Sequence, residues 1–259
     1  METIELERRG DVLVATIDHP DSAMNAVDGR LHHDLGELFR TLKVESSARA
    51  VVLTGRGTAF SAGGDMQWFP TLRSIERIHS LRREGKQLIW DLLDVEVPIV
   101  CGLNGSAAGL GASVALLCDV LVMAESAVIV DPHVNVGLVA GDGGAAIWPL
   151  LLGPLAAKRH LMLGEPLRAP DARRLGIAAE VCPAPEVRAR SVAWAKRLAA
   201  GAPLAVQGTK QAVNAQVKQA LLTSFDVSTA LEMTCFLSQD HADAVDAFVH
   251  GRTSTFGGR

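Results

Sequence analysis

The sequence predicts an α/β fold with a helical C-terminal appendage. Short apolar runs alternate with amphipathic helical stretches through the first half of the chain. Two of those runs end in glycine-rich loops. Beyond Gly201-Ala202-Pro203 only helical periodicity is left. Residues 1–200 are therefore expected to form the α/β core, and residues 201–259 a helical region.

Ile4–Arg8 and Val12–Asp18 read as two strands joined at Arg9-Gly10. A turn-rich loop follows, and Asp28 is placed to cap a helix carrying Leu31, Leu35, Leu38, Phe39 and Leu42 on one face. Ala50–Thr54 reads as a buried strand, and Thr71–Leu93 as a polar-rich helix. Pro98–Leu103 is again a strand, followed by a helix over Ala112–Leu117 and two short strands at Val120–Met123 and Val128–Val130. From Gly143 the pattern is largely helical.

With 259 residues and 48% hydrophobic content, the chain can bury one large core. A net charge of -4 lacks the basic bias of nucleic-acid-binding proteins, so no nucleic-acid partner is expected. Cys101, Cys118, Cys182 and Cys235 are scattered without a CxxC pair, which fits reduced thiols in a reducing compartment. METIELERRG has no apolar signal region. The most apolar stretch, Pro98–Met123, is interrupted by Asn104, Asp119 and several glycines, short of the ~20 clean residues of a membrane span. The expectation is a cytoplasmic protein with no membrane partner.

The chemistry is concentrated in the two glycine loops. Phe60-Ser61-Ala62-Gly63-Gly64-Asp65-Met66 turns sharply after one strand, where glycine lets the backbone approach a ligand. Asn104-Gly105-Ser106-Ala107-Ala108-Gly109-Leu110-Gly111 follows another strand and opens a helix, whose first N–H groups are free. Side by side, such loops can aim two backbone N–H groups at one oxygen, as an oxyanion hole does. Taken singly, each is also compatible with a tight turn. Nothing completes a P-loop, a GxGxxG dinucleotide loop or a GxSxG elbow.

The order of motifs carries more. It runs Met24-Asn25-Ala26, Phe60 to Asp65, Asn104 to Gly111, Cys118-Asp119, Asp131-Pro132-His133, Gly137-Leu138, Gly141-Asp142-Gly143-Gly144, and Phe248 to Arg252. This series resembles the crotonase (enoyl-CoA hydratase/isomerase) superfamily from end to end. The resemblance implies a crotonase-like spiral of ββα units with a C-terminal helical trimerisation region, assembled as a homotrimer or a dimer of trimers. It implies an acyl-CoA thioester substrate and no separate cofactor, coenzyme A being part of the substrate, and no metal. The thioester oxygen would sit between the amides of Gly64 and Leu110. The family often has glycine at the second position, so Leu110 is a departure that keeps the N–H but adds a side chain. Ala23, Met24, Ala62, Asp65 and Met66 match the family's adenine and pantetheine contacts.

Hydratases of the family use two glutamates to activate water, and the motifs place them at Ser113 and His133. Serine can hold a water or a hydroxyl, while histidine titrates near neutrality and can exchange a proton. Ser113, His133 and Asp142 are the candidate catalytic residues, with Asp142 preferred over Asp131 as the group that orients the imidazole. Asp142 can also be read as a helix cap and Asp131 as a turn residue. Asp131 would share a side of a strand with His133.

Other residues carry less. His32 and His33 read as surface or partly buried rather than metal-binding. Trp68 and Phe69 either line the acyl pocket or pack. Lys210, Arg252 and the tail from Phe256 either reach a CoA phosphate or are simply solvated. Enoyl-CoA hydration, as a lyase, is the activity first implied. Isomerisation or C–C bond hydrolysis with His133 as base fits these residues better, and a non-catalytic acyl-CoA-binding homologue is the further alternative.

Overall fold

The computed structural model describes residues 1–259. Strands β1 (Ile4–Arg9) and β2 (Val12–Ile17) pair antiparallel across the Gly10 turn. Helix α1 (Gly29–Lys43) leads to β3 (Ala50–Gly55), and β4 (Ala59–Ser61) follows almost at once. After α2 (Ile75–Asp94) the same pairing of strands recurs as β5 (Ile99–Leu103) and β6 (Ser106–Ala108). After α3 (Leu110–Leu116) it recurs again as β7 (Val120–Ala124) and β8 (Val128–Val130). Then come α4 (Gly144–Leu152), α5 (Pro154–Leu163), β9 (Leu167–Arg168), α6 (Ala169–Arg174), β10 (Glu180–Cys182) and α7 (Val187–Ala199). Helices α8 (Pro203–Phe236) and α9 (Gln239–Val249) complete the chain.

Each turn of this path lays one strand in each of two sheets. The larger has the order β1-β2-β3-β5-β7-β10, and the smaller β4-β6-β8-β9. Pairing is parallel except for β1 with β2 and β9 with β8. This is the spiral of ββα units that the sequence implied. Two glycine-rich stretches expected to be loops contain strands β4 and β6. These strands are three residues long and made mostly of small side chains, so they show no alternation to read. Likewise β9 and β10 interrupt the region expected to be helical.

The core lies between the large sheet and its helices. Helix α1 buries Leu31, Leu35, Leu38, Phe39 and Leu42, and its N-terminus is capped by Asp28, which accepts from the Arg30 and Leu31 amides. Strands β2 and β5 are buried throughout, and α7 lies across β2, β3, β5 and β7. Burial on both faces explains their unbroken apolar runs. Helix α2 begins at Ile75, later than expected, because Ser74 caps it and Pro70 shapes a 3-10 turn before it. No single helix is long and apolar enough to cross a membrane. All four cysteines are free.

Both candidate phosphate-contacting side chains already have carboxylate partners. Lys210 is buried, with its Nζ 2.8 Å from Asp119 Oδ2 and 3.0 Å from the Val97 carbonyl. Arg252 pairs with Asp246, and the tail folds back so that the Arg259 carbonyl accepts from the Gln239 amide at 2.8 Å.

Asn25 fixes the first glycine loop. It adopts a left-handed backbone with φ 52°, which asparagine tolerates better than most residues. Its side chain accepts from the His19 amide at 3.1 Å and donates to the carbonyls of Arg56, Ala59 and Phe60 at 3.1–3.3 Å. The segment then clamps the loop through Ala62 N to Met24 O, Val27 N to Gly63 O and Asp65 N to Val27 O. Asn25→Ala leaves these buried groups unpaired in a backbone conformation alanine disfavours. The expected loss is about 2 kcal/mol of stability, measurable by urea unfolding.

Candidate active site

Gly64 and Leu110 line one cleft, which encloses about 630 Å³ including its open mouth. The amide of neither donates to a backbone carbonyl. Leu110 is the first residue of α3, so its N–H has no partner within the helix. The Leu110 side chain is buried. The wall is apolar, with Trp68, Phe69, Leu72, Leu138, Phe225 and Phe236 prominent. Ala23, Met24 and Ala62 are exposed beside the first loop, and Asp65 and Met66 are half-buried. None of these five lines the cleft itself.

His133 enters the cleft from a 3-10 turn that follows β8. Its Nδ1 lies 2.5 Å from Asp131 Oδ1. Its Nε2 faces two further carboxylates, Asp142 Oδ2 at 3.5 Å and Glu232 Oε1 at 3.6 Å. The sequence ranking of the two aspartates is therefore reversed for Nδ1. Asp131, two residues back, is the partner that holds the ring, and Asp142 stands before the nitrogen that faces it from the next loop. Ser113 is almost fully buried and does not line the cleft; its Oγ donates to Asp142 Oδ1 at 3.2 Å.

Glu232 was not among the expected residues. It projects from α8 into the cleft and is only 5% exposed. One turn earlier, the single proton of Thr229 Oγ1 is shared between the Phe225 carbonyl at 2.6 Å and the Gly141 carbonyl at 3.1 Å, where α8 meets the Asp142 loop. A signal was present in the sequence. Leu221, Phe225, Ser228, Glu232 and Phe236 lie on one helical stripe, and all are buried. A glutamate on an otherwise mostly apolar stripe is rarely buried without a purpose.

Two glycines let the carboxylates come this close. A Cβ on Gly144 would stand 2.0 Å from Asp131 Oδ2, and one on Gly141 would stand 2.3 Å from Glu232 Oε2. The Asp131 Oδ2 atom is buried without a hydrogen-bond partner.

The electrostatics follow from this packing. Burial opposes charge on His133, but Asp131, Asp142 and Glu232 outweigh it and hold the imidazolium well above the usual histidine range. Burial raises Glu232 to about 8; His133 opposes the rise, while Asp142 and Asp131 add to it. Burial also raises Asp142, to about 6, with His133 and the Ser113 hydroxyl pulling the other way. Two carboxyl groups on one imidazole thus differ in proton affinity, which separates a group that accepts a proton at neutrality from one that gives it. Asp131, His133 and Asp142 also have the donor types of a cation site. One donor atom from each lies within 4.8 Å of the other two, while the imidazole Nδ1 is already taken by Asp131 at 2.5 Å.

The comparisons with known proteins agree with this scaffold. The enoyl-CoA hydratase/isomerase family model matches residues 7–259. A probable enoyl-CoA hydratase of Rhodobacter capsulatus is 31% identical over 99% of this chain and 98% of its own. A crystal structure of an enoyl-CoA hydratase/isomerase from Mycobacterium paratuberculosis superposes with a TM-score of 0.90 at 34% identity, covering 95% of this chain and 98% of the other. A β-diketone hydrolase from the cyanobacterium Anabaena, bound to (S)-3-oxocyclohexyl acetic acid, superposes with a TM-score of 0.85 at 28% identity, covering 91% and 94%. Both by its sequence and by its spiral of paired strands, the chain belongs to the enoyl-CoA hydratase/isomerase, or crotonase, family.

Proposed function

We propose that this protein adds water to an α,β-unsaturated acyl-CoA thioester, using Asp142, His133 and Glu232 in place of the two glutamates usual in such hydratases. The observation that carries this reading is the His133 imidazole, fixed by Asp131 and faced by two carboxyl groups of different proton affinity, in the same cleft as two free backbone amides. The Gly64 and Leu110 amides polarise the thioester carbonyl and stabilise the enolate, a donor of this kind being worth roughly 3 kcal/mol. Asp142, ionised above about 6, takes a proton from water as its oxygen bonds to the β-carbon. Glu232 or the His133 imidazolium gives a proton to the α-carbon. The product is the 3-hydroxyacyl thioester. Ser113 positions Asp142 by its hydrogen bond. Ala23, Met24, Ala62, Asp65 and Met66 are assigned to the coenzyme, consistent with their place beside the Gly64 loop.

A second reading is hydrolysis of a C–C bond between two carbonyl groups. It is favoured by the histidine itself and by the similarity to the Anabaena β-diketone hydrolase. Water attacks one carbonyl, the C–C bond breaks, and the enolate released takes a proton from the same acid.

We also assign the protein to a homo-oligomer in the cytoplasm. Exposed Leu204, Val213, Leu222 and Val227 along α8 support the assembly.

Purified enzyme with a 2-enoyl-CoA in ¹⁸O-water decides between these readings. Hydration yields a 3-hydroxyacyl-CoA with ¹⁸O at the β-carbon. A shifted double bond without label would establish isomerisation instead. Cleavage of a 3-oxoacyl-CoA or a β-diketone, with label in the new carboxylate, would establish the hydrolase.

A further inference from the structure

The cleft that holds His133 also carries basic side chains that the proposed chemistry does not use. His32 from α1 and Arg82 and Lys86 from α2 all line it. His32 is only 6% exposed, far from the surface or half-buried position its sequence suggested. Its side chain makes no hydrogen bond. Its nearest charged neighbour is Glu84, with Oε2 3.8 Å from Nδ1, and its ring sits 6.0 Å from that of Trp68. An imidazole in a cavity wall with no side-chain partner can donate to a ligand that enters the cleft.

Arg82 and Lys86 differ in how far they are committed. Lys86 Nζ donates to both oxygens of Asp226 at 2.7 and 2.9 Å. Arg82 comes no closer to Asp226 than 3.7 Å and makes no hydrogen bond. One carboxylate therefore serves two cations, and the Arg82 fork is free. A guanidinium in this state suits a second carboxylate, which it can bind through two N–H groups at once.

Position sets the basic groups apart from the acid. Asp226 and Glu232 lie on the same helix, six residues apart in number, which is roughly 9 Å of rise along α8 and about 120° around it, so the Lys86–Asp226 pair stands at the rim, away from the proton-transferring end. The wall between is apolar: Phe225, Phe236, Leu72 and Trp68 line it.

We propose that His32, Arg82 and Lys86 form a carboxylate-binding subsite, so that the acyl group taken by this enzyme ends in a carboxylate several carbons from the thioester. Arg82 is the main ligand, His32 donates from the buried side, and the Lys86–Asp226 pair holds the rim in place. The apolar wall accepts the methylene chain between the two polar ends. A purely alkyl chain of this length would leave Arg82 and His32 without partners, and a short one would not reach them. This inference rests on the acyl-CoA reading of the same cleft.

The test is calorimetric binding of three saturated CoA thioesters of equal chain length, ending in a carboxylate, its methyl ester or a methyl group. The carboxylate should bind about tenfold tighter than the ester. Arg82→Gln together with Lys86→Gln should bring that ratio close to one. Equal binding of carboxylate and ester by the unmodified protein overturns the subsite while leaving the thioester reading intact. If no thioester binds at all, the thioester reading itself falls. Repeating the series with pantetheine thioesters separates the remaining source of negative charge. If the Arg82 and Lys86 changes weaken only the CoA forms, irrespective of the acyl terminus, these cations serve the coenzyme phosphates and the proposal is overturned.

Discussion

His133→Gln lowers the hydration rate by about a thousandfold while acyl-CoA still binds. General acid–base groups typically contribute 10²–10⁴-fold, and His133 stands at the centre of the proton path, with Asp131 on one nitrogen and Asp142 and Glu232 before the other. Glutamine is chosen because it can still donate to Asp131 and so spares the buried carboxylate a complete loss of partners. Alanine would leave three carboxyl groups around an empty space, and removing one partner of a buried pair costs about 3–5 kcal/mol. Circular dichroism and a melting curve establish that the glutamine variant is folded. Stopped-assay kinetics then separate kcat from the affinity for a saturated thioester. An unchanged kcat would remove His133 from the proton path.

Glu232→Gln changes both the pH profile and the pH dependence of stability. If ionised Asp142 is the base and protonated Glu232 the acid, activity rises with pH through about 6 and falls through about 8. Glutamine cannot ionise, so the alkaline limb assigned to Glu232 is lost along with most of the rate. The stability effect has a definite sign. Glu232 is raised from an ordinary value of 4.5 to about 8 in the folded protein, by burial first and by Asp142 and Asp131 next. Between those values the folded state binds more protons than the unfolded one. Its contribution is fully present below the lower value and is lost as pH rises through the upper one. The His133 imidazolium, also raised, acts in the same direction. These groups make the unmodified protein lose melting temperature between about pH 4.5 and pH 8, against an opposing gain from His32 and His241, which burial holds below the ordinary value, and the glutamine variant should lose less than the unmodified protein. Parallel curves for the two proteins would show that Glu232 does not titrate in this window.

Legibility in the sequence divides along physical lines. Strands and glycine loops are local, so the two loops followed from the order of a strand, a turn and a helix start, while the choice of Gly64 and Leu110 within them came from the family resemblance. Asp131 and His133 were likewise within reach, because they are two residues apart. The relative order of Asp131 and Asp142 was not. It depends on how the Gly141–Gly144 loop packs against the ring, which is a tertiary property. Glu232 was the least accessible. Its place in the cleft arises only when α8 lies against the Asp142 loop, where Thr229 Oγ1 stands 3.1 Å from the Gly141 carbonyl oxygen. The short strands β4 and β6 were hidden for a different reason, since three residues, mostly small, carry no periodicity to detect.

Glu232 reaches the cleft from a helix made near the end of the chain. During synthesis His133, Asp131 and Asp142 leave the ribosome well before it, since domains form from the N-terminal side as the chain emerges. A nascent chain that has completed the strand spiral still lacks one of the two carboxyl groups facing the imidazole, together with Phe225, Met233 and Phe236 of the cleft wall. The cleft wall is therefore completed only when α8 docks against the Asp142 loop.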